Sequence, residues 1–447
     1  MPVNTTSPYF NAGMSSLTDN AFNGTVTEYI HRLDGQSSNE YRKYVERTPY
    51  LNVTKRTGTA LTGAILRKPY NTDFETEEVV VYGNLNFKEF LNESLVDVMI
   101  NGRIGMLCDY SDEYQNPYIV TYPNNAITNW RMDHNTLTLV IVREDYYKPK
   151  DDDLYDTELV EKYREMYIDE NGYYAVRLWE QERNNEFKVV DEIEPTIRGQ
   201  RMDYIPFVFC NTRDTSPTVT EPLLHNLAQL NVSHYRTSAD IEHAAHYTAL
   251  PQAWLAGDLQ EETATLQIGT NTVWQLEKDS KVGYLEFGGA GIKSLQEILQ
   301  HKEEMMADIG SRLLQGKKGV ESVEALRIRS GSESSALVTI ACSLESAITQ
   351  ILHYYYNWMG ADGHDNYLFE LSKDFTNVKM GPQELKALVD AFIAGTISED
   401  TFLMNLYEGE IVDDIDEEKA ARSLEDEEKE EKEPPEVEVV EVVNVDE

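Results

Sequence analysis

Glycine, lysine and serine stand together just before a helical pattern, in an order that could bind phosphate. Residues 288–294 read Gly-Gly-Ala-Gly-Ile-Lys-Ser. In a phosphate-binding loop the Lys directly follows the last Gly so that it can reach the phosphates, whereas here Ile292 separates Gly291 from Lys293. A flexible turn from a strand to a helix explains the segment better. A nucleotide-using enzyme is kept as an alternative.

Two histidines and a glutamate lie near the end of a long helical pattern. His243 and His246 are three residues apart and adjoin Glu242, so they could share a metal ion. A third ligand at a suitable spacing is missing, and histidines on a helix surface or interface are the better interpretation. Since no nucleophile motif occurs either, the sequence predicts no catalytic residues, no metal and no cofactor.

Lys317 and Lys318 form a basic pair in an acidic neighbourhood. They lie in residues 315–322, a Gly-rich and charged loop between two helical patterns. Transient contact with a polyanion is one interpretation of the pair. By the residues alone, an ordinary solvated loop is favoured.

Composition limits what the chain can do. It has 447 residues with 41% apolar content and a formal net charge of −40, of which residues 413–447 contribute −13. The length predicts two to four domains. Tight binding of duplex DNA needs clustered Lys and Arg. A chain as acidic as this one is therefore not expected to bind DNA in that way. The three cysteines are sparse and far apart, which argues against disulfides, and no run of 18 apolar residues predicts a membrane span.

The elements that position these residues alternate between helical and strand periodicity, which predicts an α+β fold. After an irregular arm over residues 1–40, helices are predicted at 39–48, 50–66, 86–100, 222–247, 293–314, 332–358 and 382–407. Strands are predicted at 105–109, 118–122, 137–143, 173–180, 187–190, 205–209, 252–256, 272–276, 283–287 and 367–371. Residues 148–155 are expected to form a surface loop, Ser332 or Ser334 to begin its helix, and the acidic tail to be disordered.

The order of elements between residues 222 and 314 is the most informative feature. Two long amphipathic helices, 222–247 and 293–314, flank about forty residues of mixed structure. Two antiparallel helices with a small α/β tip would form a stalk with a head. A third long helix, 332–358, follows the basic loop.

Four passages of the sequence resemble bacteriophage portal proteins, most of all a subgroup long labelled only as a domain of unknown function. They are residues 50–69, which end in Gly-Ala-Ile-Leu-Arg-Lys-Pro, residues 101–109, residues 230–251 and residues 324–335 with the helix that follows. With their spacing they cover roughly residues 40–360.

The resemblance implies a portal-type subunit that assembles into a ring, usually of about twelve copies, around a channel at one capsid vertex. It implies the following divisions: an arm (1–40), an α/β wing (41–221), stem helices (222–249 and 290–314), a small α/β clip (250–289), a tunnel loop (315–331), a long wing helix and strand (332–380), a helical crown (381–412) and the acidic tail (413–447). The chain would then be a virion protein made in the bacterial cytoplasm, not an enzyme.

Site residues and partners follow from the same resemblance. The channel and tunnel-loop residues that would contact DNA are Lys293, Lys317, Lys318, Arg327 and Arg329. The clip residues that would dock partners are Trp254, Asp258, Glu261, Glu262 and Trp274. The implied partners are further copies of the chain, double-stranded DNA passing through the channel, the terminase large subunit, neck or adaptor proteins, and the major capsid and scaffold proteins, with no membrane. The alternative is another head–tail connector or adaptor ring.

Overall fold

The computed structural model describes residues 12–111, 115–150, 153–182, 186–248, 252–257, 279–285, 289–314, 323–360, 368–373, 382–408 and 411–412. The α-helices in these ranges are α1 Ala12–Asn23, α2 Ser38–Arg47, α3 Val53–Ile65, α4 Phe87–Asn101, α5 His225–Thr248, α6 Ala290–Leu314, α7 Val323–Met359, α8 Pro382–Ile393 and α9 Glu399–Glu408.

The β-strands in the same ranges are β1 Asn71–Thr72, β2 Arg103–Ser111, β3 Asn116–Pro123, β4 Ile127–Asp133, β5 Thr136–Arg143, β6 Tyr146–Lys150, β7 Asp153–Val160, β8 Lys162–Ile168, β9 Tyr174–Gln181, β10 Phe187–Ile193, β11 Thr196–Ile197, β12 Gln200–Arg201, β13 Phe207–Asn211, β14 Gln252–Ala256, β15 Lys281–Leu285 and β16 Phe369–Glu370. The predicted α+β class is confirmed.

The two largest of the described sheets, both antiparallel, lie in the larger compact unit, Met1–Phe375. One has five strands in the order β10-β9-β8-β5-β4, and the other has three in the order β13-β2-β3. Arg164 of β8 links them: its Nη1 donates to Asp109 Oδ2 on β2 at 2.7 Å and its Nε to Glu144 Oε1 at 2.8 Å. Tyr122 of β3 also donates to Glu144, at 2.5 Å. A partly buried arginine shared by two carboxylates therefore fixes how the sheets meet.

The main core lies where α7 crosses the three-stranded sheet. Leu344, Ile348 and Ile351 of α7 are fully buried in one cluster with Leu95 of α4 and Met106 of β2. Each such side chain contributes about 1.5–3 kcal/mol by leaving water. Residues 336–359 are also apolar and long enough to cross a membrane by length and composition alone, but half of that window is buried in the protein. The packing is that of a core helix.

Helix starts follow local capping chemistry. Ser37 and Asn86 each accept a hydrogen bond from the backbone N–H of a Glu three residues later, and that Glu side chain accepts from the cap backbone in return. These capping boxes begin α2 and α4. Gly102 ends α4 in the left-handed conformation, φ 75°, where its close approach to Thr220 leaves no room for a Cβ atom.

Three predictions about irregular segments are wrong. The arm predicted over residues 1–40 contains α1, which forms because Phe22 packs on Gly58 and Leu224. Residues 148–155, predicted to be a loop, lie mostly in the β6–β7 hairpin, where they pair across the strands as a backbone ladder. The predicted helix start at Ser332 or Ser334 is wrong because α7 already begins at Val323 and continues through Gly331.

The smaller unit, Thr376–Glu447, contains α8 and α9. Phe392 and Phe402 stack between these helices with ring centroids 4.4 Å apart, and Leu403 is fully buried. This helical pair lies within the residues 381–412 that were predicted to form a crown. The acidic tail, 413–447, lies outside the described residues, so its predicted disorder stays a prediction.

Candidate functional site

Helices α5 and α6 pack side by side as an antiparallel pair. Lys302 of α6 donates from Nζ to the carbonyl of Ser233 at 3.0 Å and to Thr237 Oγ1 at 2.6 Å. His234 Nε2 and Glu303 Oε1 lie 3.2 Å apart in the same contact. Burial lowers the pKa of Lys302, since the ammonium gives up water to reach these oxygens. The lysine thus fixes the register of the pair.

The lower part of the pair is fastened to α3 through Asn231 of α5. Its side-chain oxygen accepts from the Thr54 N–H at 3.1 Å, from Thr54 Oγ1 at 3.0 Å and from the Tyr50 hydroxyl at 3.0 Å. Its amide donates to the Leu51 carbonyl at 2.8 Å. Asn231 is fully buried, so one α5 side chain satisfies the otherwise unpaired donors at the start of α3.

Helix α3 also approaches α6 closely. A Cβ atom on Gly310 of α6 would lie 3.4 Å from Thr57 Oγ1 on α3. In the structure the close partners of Gly58 are the side chains of Phe22 and Leu224, and it is Thr57 that faces α6.

Helix α2 is attached higher on the pair. The Tyr44 hydroxyl donates to Asp240 Oδ1 on α5 at 2.9 Å, and the Tyr44 ring meets His243 edge to face with centroids 5.2 Å apart. Burial and the Asp240 carboxylate both raise the pKa of Tyr44. The predicted interface role of His243 agrees with this contact.

Strands β14 and β15, which follow α5 and precede α6 in the chain, pair as an antiparallel ribbon. Trp254 of β14 lies opposite Gly283 of β15 and remains 43% exposed. A Cβ atom on Gly283 would lie 3.1–3.3 Å from the indole, so the ring covers the glycine. The strand predicted at 252–256 is confirmed, and that at 283–287 is shifted to Lys281–Leu285.

The predicted site residues are only partly within the described structure. Lys293 is exposed in the first turn of α6, where its N–H donates to the Gly289 carbonyl. Arg327 and Arg329 lie within α7 rather than in the predicted loop 315–331, because the helix begins at Val323. The remainder lie outside the described residues: Lys317, Lys318, Asp258, Glu261, Glu262 and Trp274. Their predicted roles stay predictions.

Two residues that organise the pair escaped sequence reasoning. Lys302 stands three residues after Leu299 and four before Met306, so it occupies the apolar stripe of α6, and a charged residue there signals a specific partner. Asn231 gave no such signal, because its five hydrogen bonds depend on residues about 180 positions away in the chain.

The described residues offer little for catalysis. They contain no group of three or more His, Cys, Asp or Glu that could hold a metal ion. A cavity of about 450 Å³ lies between β13, the β4–β5 turn and α7, and its described lining includes Tyr204, Tyr354 and Gln350. None of the described lining residues is a His, Cys, Asp, Glu, Lys or Arg. Among the described lining residues, the titratable side chains are therefore the phenols of Tyr204 and Tyr354.

Comparison with known families and structures gives a match over part of the chain. Residues 222–359 match the family described as Domain of unknown function (DUF4055). This span runs from the start of the α5 region through β14, β15 and α6 to the end of α7. No curated protein matches the chain.

Several solved structures are similar at low identity. One is a chain of the virion of a native gene transfer agent particle, with 10% identity, 86% of this chain and 94% of that chain covered, and a TM-score of 0.39. Another comes from the neck of an empty gene transfer agent particle, with 10% identity, 84% and 95% coverage and a TM-score of 0.41. A third is an HK97-family phage portal protein from Corynebacterium diphtheriae, with 12% identity, 75% and 93% coverage and a TM-score of 0.30.

The family match falls on the stretch that the sequence reasoning took to be stem, clip, stem and long helix. Over residues 222–359 the chain is similar to the DUF4055 family.

Proposed function

We propose that this chain is a portal protein, a subunit of a ring that conducts double-stranded DNA through one vertex of a phage capsid. The observation that carries the proposal is the order of elements between His225 and Met359: a packed pair of long helices with a two-stranded tip between them, then a 37-residue helix. This order is the one that the sequence resemblance implies for stem, clip, stem and wing helix.

In this proposal the α5–α6 pair lines the ring, and the β14–β15 tip docks the terminase and later the neck proteins. A head-to-tail interface closes a ring when the rotation from copy to copy divides a circle. The exposed indole of Trp254 suits a docking role, because Trp contributes strongly to interfaces when it becomes buried. Major capsid and scaffold proteins would contact the outside of the ring.

The acidic composition fits a conduit. Residues 1–412 carry a net charge of −27 even without the tail, so a wall built from them repels phosphate and lets DNA slide. Lys293, Lys317 and Lys318, with Arg327 and Arg329, would make weak, salt-sensitive contacts with the passing duplex. The chain makes and breaks no bond; nucleotide hydrolysis belongs to a separate terminase.

The first test is the assembly state. Mass photometry of the purified chain should show a homo-oligomer of about 0.6 MDa, which corresponds to about twelve copies of 51.2 kDa. A chain that stays monomeric at high concentration, and does not assemble on scaffold protein either, would contradict the proposal.

The second test separates a portal from a neck or adaptor ring, the alternative that the sequence leaves open. The substitutions Lys317→Glu and Lys318→Glu should leave the ring intact and reduce the length of DNA retained in packaging. The matched control is Lys188→Glu on the exposed side of β10, which should not change packaging. An unchanged packaged length in the loop variant would remove the DNA-grasping role.

A further inference from the structure

The segment from His31 to Lys68 is a basic region in an acidic protein. It contains eight Lys or Arg and three Asp or Glu, whereas the whole chain has a net charge of −40. It comprises α2, α3 and the residues around them. Arg42, Lys43, Lys55 and Arg56 are exposed, and Leu51 among them is 42% exposed. We call the exposed part of α2 and α3 the basic surface.

The opposite character appears on α6. Glu297 and Glu304 are both exposed and are seven residues apart, so they lie on one stripe two turns apart. Each is followed by an exposed apolar residue, Ile298 at 48% and Met305 at 43%. This acidic stripe points away from the buried stripe of α6, which contains Met306 and contacts α5.

The two surfaces cannot satisfy each other within one copy. Helices α2 and α3 hold α5 and the buried side of α6 through Tyr44, Asn231 and the contact of Gly310 with Thr57. The acidic stripe lies on the far side of α6 from that attachment. In the described residues, Lys43 and Arg56 of the basic surface and Glu297 of the acidic stripe take part in no ion pair.

The register of the α5–α6 pair places the opposite charges at matching heights. Since Lys302 bonds Ser233 and Thr237, and Glu303 bonds His234, Asp240 lies about opposite Glu297. Tyr44 binds Asp240, so Arg42 and Lys43 beside it stand at the height of Glu297.

The same α5–α6 register also places the basic residues of α3 relative to α6. Asn231 lies about opposite Met306, and Asn231 binds Thr54 at the start of α3. Lys55 and Arg56 lie between this anchor and Thr57, which faces Gly310, so they stand about 3–9 Å along the axis from Glu304, a distance that long side chains can span. The two basic clusters, anchored at Asp240 and Asn231 about 13.5 Å apart along α5, thus stand near two glutamates that are about 10.5 Å apart along α6.

We propose that the basic surface of one copy docks on the acidic stripe of α6 in the next copy, with Lys43 and Arg42 near Glu297 and Arg56 and Lys55 near Glu304. The exposed Leu51 on one side and Ile298 and Met305 on the other supply the apolar centre. Such an interface is head to tail, because each copy uses a different surface toward each neighbour. This proposal rests on the proposed function, because it names the contact between neighbouring copies in the proposed ring.

Charge complementarity selects a second copy over DNA as the occupant. Outside residues 31–68 the chain carries a net charge of −45, so another copy offers abundant negative surface next to an apolar stripe of matching height. A phosphate backbone would have to approach the same surface through the field of that negative charge.

A charge exchange tests the proposal. The basic-reversed variant is Lys43→Glu with Arg56→Glu, the acid-reversed variant is Glu297→Lys with Glu304→Lys, and the third variant combines all four. Mass photometry at about 0.15 M ionic strength gives the concentration of half-assembly. Each reversed variant should raise it by about tenfold or more, and the combined variant should return it to within about threefold of the parent.

The control for net charge is Arg131→Glu with Lys188→Glu, which makes the same change of charge on exposed positions of the five-stranded sheet. It should assemble like the parent chain. Far-UV circular dichroism should show all variants folded, since the substitutions are exposed.

The outcomes separate the two proposals. A parent chain that never assembles overturns both. A parent ring with a basic-reversed variant that assembles like the control, or a combined variant no better than the separate ones, overturns this interface and leaves the ring standing. If the basic-reversed variant assembles normally and instead loses binding to a 30-base-pair duplex at low salt, the surface binds nucleic acid and the interface is wrong.

Discussion

Asn231 offers the sharpest test of how the helix pair is attached to the rest of the chain. It is fully buried, and its side chain serves the start of α3 through Thr54 N, Thr54 Oγ1 and the Tyr50 hydroxyl, at 3.0–3.1 Å, and through the Leu51 carbonyl at 2.8 Å. The Val53 N–H also lies 3.1 Å from its oxygen but has a second acceptor in the Leu51 carbonyl. We expect Asn231→Ala to remove the acceptor of the buried Thr54 N–H and hydroxyl, whereas the Tyr50 hydroxyl keeps the Ala21 carbonyl as its acceptor.

The magnitude follows from the groups left behind. A buried polar group without a partner costs about 1–3 kcal/mol, and two groups of the fully buried Thr54, its N–H and its hydroxyl, would lose the Asn231 acceptor at once. We therefore expect Asn231→Ala to lower the free energy of unfolding by about 3–5 kcal/mol.

Equilibrium urea denaturation followed by far-UV circular dichroism measures this loss. The matched control is Asn52→Ala, which removes the side chain that caps α3 by accepting from Lys55 N. Loss of such a cap costs about 1 kcal/mol. If Asn231→Ala lowers the free energy of unfolding no more than Asn52→Ala does, the buried network does not hold α3 to α5. The placement of Lys55 and Arg56 relative to α6 would then lose its support.

Three further outcomes are expected. Burial, with Asp19 and Glu93 nearby, raises the pKa of Asp97 to about 7. Above about pH 4 the folded protein therefore still binds a proton at Asp97 that the unfolded chain has released. The stability of the folded protein should fall as pH rises from 4 to 7. Melting temperatures measured across this pH range should depend less on pH in the Asp97→Asn variant. Arg164→Met strands two partly buried carboxylates and should cost about 3–5 kcal/mol in urea, against less than about 1 kcal/mol for Arg177→Met at the more exposed Glu192 pair. Deleting residues 413–447 should leave assembly measured by mass photometry unchanged, and failure to assemble would show that the tail is structural.

Regular, amphipathic elements could be predicted from the sequence because their burial repeats with the helical period. Helix α4 carries both a capping box and a terminal glycine, and its predicted bounds, 86–100, differ from Phe87–Asn101 by one residue at each end. Helix α6 was predicted from the spacing of its apolar residues, and only its first turn was missed.

The elements that escaped prediction depend on partners distant in the chain. Strand β8, Lys162–Ile168, has charged and aromatic residues on both sides and becomes a strand because β5 and β9 pair with it on either edge. Helix α7 continues through Gly331, which lowers local helix propensity by about 1 kcal/mol, and this local signal wrongly suggested a helix start. The candidate site was harder still, since α2, α3 and α6 are brought together by contacts with α5 that join residues far apart in the chain.

The charge of the chain sets a requirement that the proposed interface meets. Copies with a net charge of −40 repel each other, and this repulsion acts over a Debye length of about 8 Å at physiological ionic strength. Apolar contact alone is small here, because Ile298 and Met305 are isolated on an exposed helix. The attraction between two copies must therefore come from charge contacts shorter than the Debye length. It must also pair a basic surface on one copy with an acidic surface on the next. A basic surface at the height of an acidic stripe provides that, and it leaves the remaining negative surface of each copy to face DNA or solvent.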